Sequence, residues 1–515
     1  MPQAKVDNKR IAKNTIYMYI RMLFVMAVSL YTSRVILQTL GVEDYGTYQV
    51  VGGVVGLLAF INGTLSQGTS RFLLFEMGSG TPSSIAKLFS TLLNAHIILA
   101  LLIILLAETV GLWFVYNKLV IPEDRMGPAL LAYHLSIITS FFSLTQAPFS
   151  AAIKSHERFD IYAYTSIVDA VAKLSIAYAI SISPIDKLAF YAILLFFVSV
   201  GMTIFLRSYC MRHFEETKYR FLMDLGLLKK VTSYCGWNIF SNMSGVLNSQ
   251  GLYVLVNMFF NSGVVTSMAI ANTVKDAANS FVENFRVASI PQIVKTYAAG
   301  DHAASKSLLL STTKYSYFLL LLLGLPIFLV APQVLRLWLG FIPENADTFL
   351  RYIILVAIFM LFNSCLFTTQ DVIGKIKRYS IVFPILMLIN IIAIYICFRC
   401  GMPTVSYAIV MLITYMILSL IVQPILVVTQ TEYTYKEIFC LYFHCLYVTI
   451  PALIIPFLSY HYLPITGDFL RIVLLSIISA ISVSSSVWFL GMDHTTKTKL
   501  ITFLKQKLHI NQQQI

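Results

Sequence analysis

The feature that most constrains this chain is the recurrence of long stretches without Asp, Glu, Lys or Arg. Uninterrupted runs occupy 45–70, 88–107, 126–153, 188–206, 315–335, 352–370, 379–398, 400–431, 438–467 and 472–492. The run 231–274 has 44 residues, enough for one whole span and the start of another. A helix needs about 20 mostly apolar residues to cross the hydrocarbon core, so each run predicts a span. Three further candidates, roughly 14–37, 163–182 and 264–289, are interrupted by charge. The pattern predicts an all-α integral membrane protein with about 14 transmembrane helices. Composition agrees. Of 515 residues, 58% are hydrophobic and 12% charged, and the mean hydropathy is +0.77. Soluble domains carry about 25% charged residues. A soluble enzyme, a disordered chain and a nucleic-acid-binding module are thereby excluded.

The net charge of +13 is read through topology. With the N-terminus inside, inside tails and loops hold 24 Lys and Arg, and seven lie within or at the edge of spans. Outside connections hold six: Lys118, Arg125, Lys187, Arg336, Arg399 and Arg471. Cytoplasmic loops concentrate Lys and Arg, so both termini are expected in the cytoplasm. Lys5, Lys9, Arg10 and Lys13 mimic the start of a signal peptide. No small-residue cleavage site follows them, so they read as a retained tail. The seven cysteines are odd in number, and none precedes Cys210. They form no disulfide framework, and the isolated Cys397-x-x-Cys400 pair reads as packing. No cofactor or metal is expected.

Basic-loop features recur with an offset of 220. Gly80 matches Gly300; Ile153, Arg158 and Phe159 match Ile373, Arg378 and Tyr379; Lys87 and Lys306 each precede the next apolar run. The repeat suggests an N-terminal lobe over 1–225 (spans 1–6) and a C-terminal lobe over 226–430 (spans 7–12). Spans 13–14 and a cytoplasmic tail fill 431–515. Two-lobed transporters use such parallel repeats.

Charges at membrane depth need a partner, a wet cavity or a function. In span 8, Asn272, Lys275, Asn279, Glu283 and Arg286 fall within about 80° of one another at 100° per residue. They read either as the lining of a cationic cavity or as a self-satisfied row with Glu283 and Arg286 paired. Span 1 carries Arg21 and Arg34, each a candidate substrate contact or a snorkelling cation. In span 5, Asp169 and Lys173 at i,i+4 suit a structural ion pair or an ion-coupling site, Lys173 being a further candidate cation for substrate. Span 7 offers a neutral polar face of Asn238, Asn242, Gly245 and Ser249, fit for sugars or for helix–helix hydrogen bonds. His96 in span 3 is a structural histidine or a proton relay. Asp169, Glu283 and His96 are the candidates for coupling to H+ or Na+.

No Walker A lysine motif, GxSxG or HExxH occurs, and no outside connection is long enough for a catalytic domain. The segment Leu40-Gly41-Val42-Glu43-Asp44-Tyr45-Gly46-Thr47-Tyr48 resembles the LGxxxYGxY stretch of polysaccharide flippases. Ser155-His156-Glu157-Arg158-Phe159 and Leu227-Leu228-Lys229-Lys230 resemble the same group. Over essentially its whole length the chain is similar to the Wzx-like, polysaccharide-biosynthesis branch of the multidrug/oligosaccharidyl-lipid/polysaccharide exporter superfamily. The resemblance implies a MATE-like, two-lobed transporter rather than an enzyme. It implies an undecaprenyl-diphosphate-linked glycan as substrate, moved by alternating access for O-antigen, capsule or exopolysaccharide assembly. Membrane lipid, a glycan polymerase and glycosyltransferases would be partners, and nucleic acid would not. Lys275, Arg286 and Arg21 fit the family's cationic lumen in kind and span. The alternatives are a drug/cation antiporter, a peptidoglycan-precursor flippase and a membrane glycan polymerase.

Overall fold

The computed structural model describes the backbone of residues 8–58, 60–79, 81–156, 158–463, 467–493, 496–498 and 501–502. No strand occurs among them. Span 1 is the helix Asn8–Leu40, and span 2 comprises Val42–Leu58 and Phe60–Ser79. Span 3 is Pro82–Lys118, span 4 Met126–Ser155, span 5 Phe159–Ala179 and span 6 Lys187–His213. Span 7 runs through Leu225–Val246 and Leu252–Phe259; span 8 is Ser262–Ala298 and span 9 His302–Leu329. After a short helix at Ala331–Leu339 come span 10 (Ala346–Ile373), span 11 (Lys377–Arg399) and span 12 (Ser406–Gln430). Span 13 is Tyr435–Tyr462 and span 14 Asp468–Gly491. Eleven of these are long and apolar enough on their own to cross a membrane. Spans 2, 7 and 8 are the others. Span 8 carries Lys275, Asp276, Glu283, Arg286 and Lys295 together with several Ser, Thr and Asn residues. The chain is a multi-pass membrane protein.

Helix starts follow local chemistry. Thr81 and Ser84 form a reciprocal capping box at span 3, with Pro82 in the first turn. Thr434 and Glu437 do the same at span 13. Asp186, Asp224 and Asp301 cap spans 6, 7 and 9 by accepting backbone N–H bonds. Each such cap satisfies donors that the first helical turn leaves orphaned.

Two compact units result. One runs to Ile270 and adds Pro343–Asn345 and Ser380–Tyr407; the other takes Ala271–Ile342, Ala346–Tyr379 and the chain from Ala408 on. Span 7 and most of span 11 therefore fall in the first unit. Its buried apolar residues include Leu73, Phe89, Phe149 and Ile153 from spans 2, 3 and 4. The second unit centres on span 9, where Tyr317, Phe318 and Leu321 pack with Phe362, Val448 and Leu475 from spans 10, 13 and 14.

Within the first unit, the 40–48 segment has a definite mechanical role. Gly41 takes φ +85°, which turns span 1 into span 2. Arg125 pairs with Asp44 and, at 2.7 Å, with Asp186, so one guanidinium ties three connections together. Burial pushes the Asp186 carboxyl up, but the Ala189 N–H and Arg125 outweigh it and hold the group below its usual range. Gly46 lies against the start of span 8, and a Cβ there would overlap the Ser262 carbonyl. Thr47 reaches the Ser262 hydroxyl at 3.2 Å, and Thr266 donates to the Val42 carbonyl at 2.6 Å.

The connection between spans 6 and 7 is strapped across span 3. Asn94 donates to the Leu222 carbonyl (2.9 Å) and accepts from Tyr219 (2.8 Å). Lys87 pairs with Asp224 at 2.8 Å. The second unit repeats the device: Lys306 pairs with Glu437 at 2.5 Å and donates to the Glu432 carbonyl at 3.1 Å. Lys87 and Lys306 are the two lysines matched in sequence.

These contacts set two expectations. Gly46→Ala should destabilise the purified protein by about 1–3 kcal/mol, since backbone rather than a flexible side chain blocks the new methyl. Gly52→Ala, where nothing lies within 4 Å, should leave the melting temperature in place. For the strap, the Lys87 ammonium holds the Asp224 carboxyl below its ordinary range. Its contribution is therefore present above the unfolded carboxylate value of about 3.9 and is lost as pH falls through the lowered one. Protection factors at 219–224, which scale exchange to the intrinsic rate at each pH, should fall only on that acidic side, and Asp224→Asn should lower them at neutral pH as well.

Candidate functional site

The intramembrane polar residues fall into two sets, one in each unit. In the second unit, span 8 places Val274, Ala278 and Val282 in the core. Its cations lie close beside that buried face, while its acids stand out. Arg286 is 12% exposed and Lys275 13%, against 52% for Glu283 and 68% for Asp276. Arg286 forms a fork on Glu283 at 2.6 and 3.0 Å. It also donates to the Ser364 carbonyl (2.9 Å) and the Thr368 hydroxyl (3.3 Å) of span 10. Lys275 pairs with Asp276 at 3.2 Å and donates to Asn272 at 3.2 Å. Asn279 is half-buried on the same helix. A helical wheel puts Arg286 and Glu283 on one face. The structure separates their exposures because the long arginine stem reaches sideways to span 10, while glutamate is too short to follow.

In the first unit, Arg21 donates to Ser166 at 3.2 Å, joining span 1 to span 5. Lys173 and Asp169 are paired at 2.7 Å and are 47% and 35% exposed. Arg34 is half-buried and lies away from that pair in sequence, towards the far end of span 1. His96 is fully buried; its Nδ1 is 2.8 Å from the Leu92 carbonyl, and its Nε2 has no hydrogen-bond partner. In span 7, Asn242 is half-buried, and Ser249 is exposed and donates to Val246 at 3.2 Å. The Asn238 side chain lies outside the described residues. Asn248, which sequence reasoning did not single out, is buried. It donates to the Ser244 and Met387 carbonyls at 3.0 and 3.1 Å and accepts from Asn390 at 2.8 Å. Among the described residues no group of His, Cys, Asp and Glu could hold a metal ion.

No protein-family model matches the chain, and neither does any curated protein. Solved structures do match. The lipid II flippase MurJ in an inward closed conformation superposes with a TM-score of 0.69, covering 92% of this chain and 98% of that one at 13% identity. An inward-facing multidrug resistance MATE family transporter of the MOP superfamily gives 0.65, covering 80% and 98% at 13% identity. The MATE multidrug transporter DinF-BH gives 0.60, covering 84% and 97% at 14% identity. The chain thus has the all-helical fold of these MurJ and MATE structures.

The different settings of the two span 8 residues give a test. Arg286→Ala removes a buried group with hydrogen-bond partners on two helices and should destabilise the protein by roughly 1.5–3 kcal/mol. Glu283→Gln acts on a carboxylate more than half exposed and should cost about 1 kcal/mol or less. Thermal unfolding of detergent-solubilised protein would show the two variants melting together if Glu283, rather than span 10, anchors the arginine.

Proposed function

We propose that the chain is a flippase that carries an undecaprenyl-diphosphate-linked oligosaccharide across the bacterial inner membrane by alternating access. The product would serve surface polysaccharide assembly. The observation that carries the reading is span 8: two cations, Lys275 and Arg286, held at membrane depth in a fixed geometry. A guanidinium or ammonium binds phosphate oxygens by charge-assisted hydrogen bonds. The fold supports the reading, because the lipid II flippase MurJ shares it along most of the chain. On this reading both termini face the cytoplasm, and glycosyltransferases and a glycan polymerase are the working partners. Asp169, Glu283 and His96 are the groups through which an H+ or Na+ gradient would couple.

One observation favours a second reading. The exposed groups of span 8 are the carboxylates Glu283 and Asp276, as a drug/cation antiporter would require. A flippase-null strain making a surface glycan separates the two. Lys275→Gln with Arg286→Lys should lower surface glycan about tenfold or more at normal protein level, as loss of one or two charge-assisted phosphate contacts implies. Full complementation by that variant, together with loss of cationic-dye efflux in Glu283→Gln, would replace the flippase with the antiporter.

A further inference from the structure

The first unit contains a feature that neither the cations nor the fold explains. One face of span 4 is lined with hydroxyls and an amide over about half its length: Ser136, Thr139, Ser140, Ser143, Gln146 and Ser150. Most are spaced three or four apart, and together they form one stripe. From Ser136 to Ser150 that stripe is about 21 Å long, roughly two-thirds of the hydrocarbon core. It is not a packing seam. Two cavities of ≈ 470 and ≈ 440 Å³ open along it. They share Thr139 and Ser199, so they form one groove within the unit. Lys173 borders the first cavity and Asp169 the second, and their ion pair stands at the junction.

The chemistry of the lining narrows the ligand. Ser136 and Thr139 return their protons to the carbonyls of Ala132 and Leu135, at 2.7 and 2.8 Å. Thr203 does the same to Ser199 at 2.9 Å. Their oxygens are left as acceptors. Gln146 and Thr32, each lining the groove, are more than nine-tenths buried. The Gln146 Nε2 and the Thr32 Oγ1 have no hydrogen-bond partner. The groove thus alternates acceptors with an amide donor. Its charges are the internally paired Asp169 and Lys173, and Lys154 at one end. A diphosphate would find little excess positive charge there. A neutral polyhydroxylated ligand, whose every hydroxyl both donates and accepts, matches the lining.

We infer that this groove is a binding site for the neutral sugars of the transported glycan, separate from the phosphate contacts of span 8. The inference rests on the flippase reading for the identity of the cargo, and the test separates the two. Full-length protein carrying Cys235→Ser, Cys397→Ser, Cys400→Ser and Cys440→Ser, the last two being the exposed cysteines among the described residues, is reconstituted in nanodiscs. Ser143→Cys reports on the groove and Asn279→Cys on span 8, each read by its rate of maleimide labelling. The probes are maltotriose, as a neutral trisaccharide, and sodium pyrophosphate.

Maltotriose should slow labelling at 143 saturably, about tenfold when it is present at ten times its dissociation constant. Pyrophosphate should leave position 143 unchanged. Adding Gln146→Leu or Thr139→Val, whichever accumulates folded, should abolish the sugar protection. Protection of 143 by maltotriose with none of 279 by pyrophosphate keeps the groove and removes the diphosphate reading. Protection of 279 alone overturns the groove and leaves the flippase intact. Equal protection of 143 by both probes, or protection that survives both substitutions, also overturns the neutral-sugar site.

Discussion

A lipid bilayer offers no water to unpaired backbone groups, and that one constraint shapes this chain. Every N–H and C=O at membrane depth must be satisfied by the segment itself or by a neighbour. Helices meet the demand wherever they are regular. Where they are not, a named side chain intervenes. In span 3, at the π-helical turn Ala107–Gly111, the Tyr133 hydroxyl donates at 2.7 Å to the Ala107 carbonyl, which also accepts the Leu112 N–H. Gly111 leaves the space for that hydroxyl, since a Cβ there would collide with it. In span 12 the π turn Leu418–Val422 is served in the same way by Tyr442, 2.7 Å from the Ser419 carbonyl. Span 7 uses Asn248. The irregular turns thus occur where a hydrogen-bonding side chain stands ready.

Charge obeys a related rule. The membrane tolerates a cation when its positive end is fully engaged, and Arg286 meets that condition through two helices at once. The acid beside it then carries the exposure. Electrostatic character at such a site depends on which partner has the reach to be buried, and side-chain length decides that. The paired Asp169 and Lys173 represent the other solution, with both partners facing a polar groove.

Much of this was legible in the sequence. Each charge-free run falls on a helix, but the helices run past the charges by up to about a dozen residues, as span 9 does from His302 where its run begins at 315; the three interrupted runs marked the charged helices. The capping aspartates at 186, 224 and 301 stand immediately before the helices they start. Lys87 and Lys306, each of which precedes an apolar run in the sequence, hold similar straps. What escaped was three-dimensional. Nothing near Arg286 in the chain announces Ser364 or Thr368, nearly eighty residues away. Gly46 looked like part of a motif, but its reason is the backbone of span 8 lying against it. The hydroxyl stripe of span 4 lay in plain view. It was passed over because an uncharged run reads as simply apolar when the search is for charge. A search for Ser and Thr at helical spacing would have found it.

The π turns also carry a consequence for how this chain tolerates change. Each is a helix with one surplus residue, so everything beyond it is rotated by about 100° relative to an unbroken helix. In span 7, Asn242 and Gly245 lie before the turn and Leu252 onward after it. Removing a single residue between 247 and 251 would heal the helix and swing its remaining turns to a different neighbour. Chain length at these few positions is therefore as much a determinant of which side chains meet as the side chains themselves. A conservative substitution there would matter less than a one-residue gap.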